Sequence, residues 1–131
     1  MQPFSVNGDV WMVVRVSPDS PSLIDRTGKR TIATTDPARR VVSVSTDIEP
    51  PFLDKVLLHE VAHAITISHG LLDVLRMVVP EDYWVFVEEW AAQLMENYGI
   101  EAVALTSKSL GRPACVSGLC YGQPDGGYDG I

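Results

Sequence analysis

The sequence predicts a small α+β domain, in which a short, mainly antiparallel β-sheet is followed by two helices packed antiparallel. Three observations lead there. The first 48 residues carry alternating β-branched runs broken by Gly, Pro and Asp. From Pro51 the apolar residues switch to helical spacing. A chain of 131 residues, 46% hydrophobic and 21% charged, has the size and composition of one soluble globular core.

The elements follow in order. "DVWMVVRV", from Asp9 to Val16, reads as a strand bounded by Asn7-Gly8 and by "SPDSPS". "LIDRTGKRTIATTD" reads as a hairpin turning at Thr27-Gly28-Lys29. "ARRVVSVSTDI" alternates through Val42, Val44 and Thr46, with Pro37 before it and Pro50-Pro51 after it, and is another strand. Pro51 then suits a first helical turn, and Val56, Leu57, Val61, Ala64 and Ile65 recur at helical spacing until Gly70 stops the run. "LLDVLRMVV" is a short helix leading into Pro80. "PEDYWVFVEEWAAQLMENYG" is the clearest helix of the chain. Pro80 opens it, Glu81 and Asp82 suit its positive end, and Val87, Trp90, Ala91, Leu94 and Tyr98 form the apolar stripe expected to pack inward. Gly99 is expected to close it, with a separate helix through "EAVALTSKSL". Residues 1–110 thus read as one domain, and 111–131 as a Gly/Pro-rich tail that is loop-like or mobile.

Charge narrows the function classes. The formal net charge is -7, and only Lys29-Arg30 and Arg39-Arg40 form basic pairs, so no nucleic-acid partner is expected. No apolar run approaches the roughly 18 residues of a membrane span, and "MQPFSVNGDVWMVVRV" lacks the pattern of a secretion signal, so the expectation is a cytoplasmic chain with no membrane partner. Cys115 and Cys120 are too few for a zinc knuckle and are expected as reduced thiols.

The chemistry is concentrated in "VLLHEVAHAITISHG". His59 and His63 lie one helical turn apart on one face, so both imidazoles reach one ion at about 2.0–2.1 Å. Glu60, one position along, reaches a water beside that ion and serves as general base, which implies metal-assisted hydrolysis of an amide or peptide bond. The chain has only three histidines. The flanks Val56-Leu57-Leu58 and Val61-Ala62 are apolar, so a polar trio among them is costly without a use.

A third protein ligand is required. His69 lies ten residues after His59, as in H-E-x-x-H-x-x-G-x-x-H, but Thr66 stands where that pattern has a glycine at a sharp turn. The alternative is a Glu from the "VEEWAAQLM" helix. Glu88 has Ala91, Ala92 and Met95 beside it and is the preferred ligand. Glu89, on the more solvated side towards Gln93 and Glu96, is the second choice.

"VLLHEVAHAI" followed by "EEWAAQLM" resembles the zincin superfamily of metallopeptidases, and within it the compact gluzincin-like and ImmA/IrrE-type domains, including virus-encoded ones. The resemblance covers about residues 29–98 and rests on the H-E-x-x-H and on E-x-x-A at Glu88-Glu89-Trp90-Ala91. It implies a zinc ion, a peptide or protein substrate, and a bacterial or viral peptidase in the cytoplasm or associated with a virion. It also implies an edge strand beside the cleft that pairs with extended substrate, placed at Val42, Ser43, Val44 and Ser45. Thermolysin-like members carry an Asp four residues after the ligand Glu; that position is Ala92 here, so Asp73 or a backbone carbonyl is the candidate to orient a histidine. Tyr83, Tyr98, Tyr121 and His69 are the open candidates for an oxyanion stabiliser. The alternative function is a zincin-fold module with little or no catalysis and a structural or interaction role in a larger assembly, with a protein partner.

Overall fold

The computed structural model describes residues 1–122. Its described elements are mixed α and β, as the sequence predicts. Strands β1 (Phe4–Val6), β2 (Asp9–Val16), β3 (Ala33–Asp36) and β4 (Val41–Ser45) form one sheet, ordered β1-β2-β4-β3. Helices α1 (Phe52–Ser68), α2 (Leu71–Val78) and α3 (Trp84–Leu110) follow, and β5 (Cys115–Val116) pairs with β6 (Leu119–Cys120). By contacts the chain forms two compact units, Met1–Glu96 and a second from Asn97 onward. No single described helix is long and apolar enough to cross a membrane.

The β1–β2 hairpin turns at Asn7-Gly8, both at positive φ (49° and 84°), which is the backbone that a two-residue hairpin loop requires. The Asn7 side chain also donates to the Ser68 carbonyl at 3.0 Å, binding an end of α1 to the sheet. Of the three strand pairings, β1–β2 and β3–β4 are antiparallel and β2–β4 is parallel, with Val13 opposite Val42 and Arg15 opposite Val44. A parallel pair needs a crossover. Here residues 17–40 supply it and deliver β3 to the far edge of β4.

Alternation sets the core. Trp11 and Val13 of β2 and Val42 and Val44 of β4 face Leu53, Val56 and Ala64 of α1, with Ile48 beside them. Trp11 is fully buried, and its indole N–H donates to Ser68 Oγ at 2.8 Å, so the largest core side chain leaves no polar atom unpaired. On the opposite face of β2, Val10, Met12 and Val14 are exposed. The Arg15 guanidinium donates to the carbonyls of Ser45 (3.0 Å) and Ile48 (2.8 Å) and fixes the chain between β4 and α1.

Several sequence expectations change. Gly99 does not end α3, which runs through it to Leu110, because the good helix formers from Glu101 onward offset the roughly 1 kcal/mol that one glycine costs. The apolar stripe of α3 faces outward: Trp90, Ala91, Leu94 and Tyr98 are exposed, and the buried residues of that helix are Glu88 and Ala92. Cys115 and Cys120 are joined as a disulfide rather than reduced, because the Ser117-Gly118 turn sets them opposite each other across the β5–β6 hairpin. The first part of the expected tail is therefore a hairpin, and its remainder, 123–131, lies outside the described residues.

Candidate metal centre

The site is built where α1 turns its second face towards α3. One face of α1, with Leu53, Val56 and Ala64, lies on the sheet. The line Lys55, His59, His63, spaced by four residues, faces the first turns of α3 instead. Lys55 meets Glu96, His59 meets Glu96 and Glu89, and His63 meets Glu89 and Glu88, so the two helices run antiparallel there.

Three ligand atoms converge. His59 Nε2 and His63 Nε2 lie 3.3 Å apart, and the Glu89 carboxylate spans both, Oε2 at 3.1 Å from the first and Oε1 at 3.1 Å from the second. Each Glu89 oxygen lies against one imidazole, and one ligand atom from each of the three residues lies within 4.8 Å of the other two, a grouping from which all three residues could reach one ion. Two Nε2 atoms facing each other at 3.3 Å are also a poor arrangement for two N–H donors, and one that a shared cation satisfies. His59, His63 and Glu89 could together hold a metal ion, and two imidazoles with a carboxylate are donors that a divalent transition metal takes.

The other ring nitrogens are held as well. Glu96 Oε1 lies 2.8 Å from His59 Nδ1, and Glu88 Oε1 lies 3.5 Å from His63 Nδ1. Each of these carboxylates turns its second oxygen to a cation: Glu96 Oε2 to Lys55 at 3.5 Å, and Glu88 Oε2 to Arg26, reaching in from the turn before β3. Such partners fix which nitrogen faces a metal.

Glu60 leaves this line and points at β3. It is 7% exposed, and the Thr35 hydroxyl donates to its Oε1 at 2.8 Å. Burial pushes its carboxyl above the usual range, against the opposing pull of Thr35 and the two histidines. His59 is raised chiefly by its hydrogen bond with Glu89. For His63, burial pulls down, but Glu88 and Glu89 outweigh it and lift the imidazole to about 9. Glu89 is held far below the usual carboxylate range by the same two rings. Glu88 is pushed up by burial and pulled below its ordinary value by His63 and Arg26.

A cleft of about 1200 Å³ opens over these residues, with β3, the turn carrying Arg26, α1 and the start of α3 as its walls. The structure brings His59 and His63 together, places Glu60 in the wall of the same cleft, and corrects three expectations. Glu88, the preferred third ligand, is not with the Nε2 atoms; it is 6% exposed and sits behind His63, while Glu89, 41% exposed, takes the cleft position. The reason is the facing of α3, whose buried line runs through Glu88 and Ala92 and leaves Glu89 at the rim. Val42, Ser43, Val44 and Ser45 do not form an edge, because β4 is hydrogen-bonded to β2 on one side and β3 on the other. The edge strand beside Glu60 is β3. Asp73 is exposed on α2, and Glu96 occupies the place expected of it.

His69 is exposed at the end of α1, beyond Thr66, which is still helical and bonds back to the Ala62 carbonyl. The sharp turn comes at Gly70 (φ 69°), too late to swing His69 towards the other two. Tyr83 and His69 do not line the cleft. Sequence reasoning missed Glu96, Arg26 and Thr35; the only advance signal was that Glu89 and Glu96 are seven residues apart and share a helix face. Compared with known proteins, the chain matches no family model, no curated protein and no solved structure.

Proposed function

We propose that the chain is a zinc-dependent metallopeptidase in which His59 and His63, through Nε2, and Glu89, through its carboxylate, hold the ion, with Glu60 as general base. The observation that carries this reading is the convergence of those three side chains at 3.1–3.3 Å beside a buried Glu60. Bound there, zinc supplies Lewis-acid activation of a water and of the scissile carbonyl. Thr35 occupies Glu60 Oε1, which leaves Oε2 to take the proton of the attacking water and to pass it to the departing amine nitrogen. Burial of Glu60 favours its holding that proton between the two steps. β3 pairs with β4 on one side only, so its outer backbone groups suit an extended peptide laid along the cleft.

A second reading is a metal clip without catalysis. What favours it is that, as far as Glu96, the buried residues of α3 are Glu88 and Ala92, so the contact with α1 is largely polar.

Comparing Glu60→Gln with wild type separates the two. With a fluorogenic peptide library as substrate, the peptidase reading expects stoichiometric zinc, an intact fold and cleavage reduced about 100-fold or more. Cleavage absent from wild-type protein carrying full zinc leaves the clip, and cleavage undiminished in Glu60→Gln removes Glu60 as the base.

A further inference from the structure

Arg26 reaches Glu88 from 62 residues away in sequence. Its backbone is well fixed for an exposed turn. Asp25 Oδ1 accepts from the Thr27 N–H (2.9 Å), the Thr27 hydroxyl (2.6 Å) and the Lys29 N–H (3.0 Å). The Asp25 and Gly28 N–H groups close the loop on the carbonyls of Lys29 (2.8 Å) and Asp25 (2.9 Å). The turn is anchored in turn by Thr31, which donates to the carbonyl of the fully buried Leu23. Arg26 is thus presented over the cleft from a braced support, with its side chain 53% exposed and that of Glu88 6% exposed.

The contact divides the work of Glu88 between its two oxygens. Oε2 takes the guanidinium, and Oε1 faces His63 Nδ1. A carboxylate this buried needs a paired charge, and a guanidinium, with several donors in one plane, fixes its orientation better than a point charge does. The arrangement repeats at Glu96, divided between Lys55 and His59.

We infer that Arg26 is a positioning residue for the metal centre: it holds Glu88 in the orientation that aims His63 Nε2 into the cleft, an inference that rests on the zinc reading above. Arg26 does not touch the ion. It acts through Glu88 on the ring, and it couples the turn before β3 to the ligand geometry on α1.

The test compares wild type with Arg26→Ala, Arg26→Gln and Arg26→Lys by zinc titration against a chromophoric chelator and by the d–d spectrum of the cobalt-loaded protein. The expected result is zinc affinity about 10-fold weaker in Arg26→Ala and Arg26→Gln, with altered cobalt bands, and partial recovery of both in Arg26→Lys. Wild-type affinity and an unchanged cobalt spectrum in a folded Arg26→Ala or Arg26→Gln overturn the inference. A metal-free measurement keeps it distinct from the zinc reading: the Arg26 guanidinium should show hindered rotation by nitrogen NMR, lost in Glu88→Gln. A wild-type protein that takes up no zinc sinks the metal reading, whereas free rotation of the wild-type guanidinium sinks the Arg26 contact.

Discussion

Glu96 Oε1 lies 2.8 Å from His59 Nδ1, while Glu89 Oε2, from two helical turns earlier, lies 3.1 Å from Nε2 of the same ring. One helix therefore grips both nitrogens of one imidazole. With Nδ1 engaged by Glu96, His59 presents Nε2 to the cleft in a single orientation.

Replacing Glu96 removes that orientation without removing a ligand atom. Glu96→Gln is expected to fold, to retain one zinc site and to bind zinc about 10–100-fold more weakly, read by chelator competition. Unchanged affinity means that the Nδ1 contact is incidental.

The adjacent glutamates make opposite predictions. Glu89→Ala removes an atom of the converged trio and should abolish stoichiometric zinc. Glu88→Gln should keep the zinc with affinity lowered about 10–100-fold, since Glu88 faces only the far side of His63. The reverse pattern would restore Glu88 as the ligand.

Legibility differed by the kind of signal. β2, β4 and α1 could be read because alternation and helical spacing are local properties, and Asn7-Gly8, Pro51 and Gly70 mark their ends. Glu88 and Glu89 could not be ranked correctly, because adjacent helical residues point about 100° apart and the facing of α3 is set by its partner. The exposed stripe through Trp90 and Leu94 misled, since burial was expected to follow hydrophobicity, whereas α1 offers α3 a row of imidazoles. Strand order was equally out of reach. β2 and β3 are neighbours in sequence but not in the sheet, so the edge beside Glu60 was assigned to β4.

Metal-free protein should show a distinctive pH dependence. His63 is raised to about 9 in the fold from an ordinary 6.5, so its contribution is fully present below about pH 6.5 and is lost as pH rises through about 9. Glu89 and Glu88 are depressed, so theirs is present above the ordinary carboxylate range and is lost as pH falls below it. Urea midpoints measured in chelator should decline from pH 6.5 to 9. A flat profile across that window means the imidazole–carboxylate contacts contribute nothing to stability.

Zinc loading should reverse the sense of that dependence between pH 6 and 7. The ion takes neutral imidazoles, so uptake near pH 6 should release about two protons, from His59 and His63, measured by calorimetry in buffers of differing ionisation heat. No proton release would place the ion elsewhere.

The sheet should fail independently of the site. Trp11→Ala empties a fully buried position and strands Ser68, and should cost about 3–5 kcal/mol in denaturant unfolding. A loss under 1 kcal/mol would mean that the core collapses around the gap.

The antiparallel run of α1 against α3 also acts as a gauge of register. His59 and His63 are about 6 Å apart along their axis, while Glu89 and Glu96 are about 10.5 Å apart along theirs. The two spacings differ, and in the observed alignment Glu96, Glu89 and Glu88 each find a ring nitrogen. Sliding α3 by one turn, about 5.4 Å, leaves an imidazole or a buried carboxylate unmatched. Charge thus sorts the helix alignments before close packing can, and α3 can carry its aromatic residues on the outer side without losing its place.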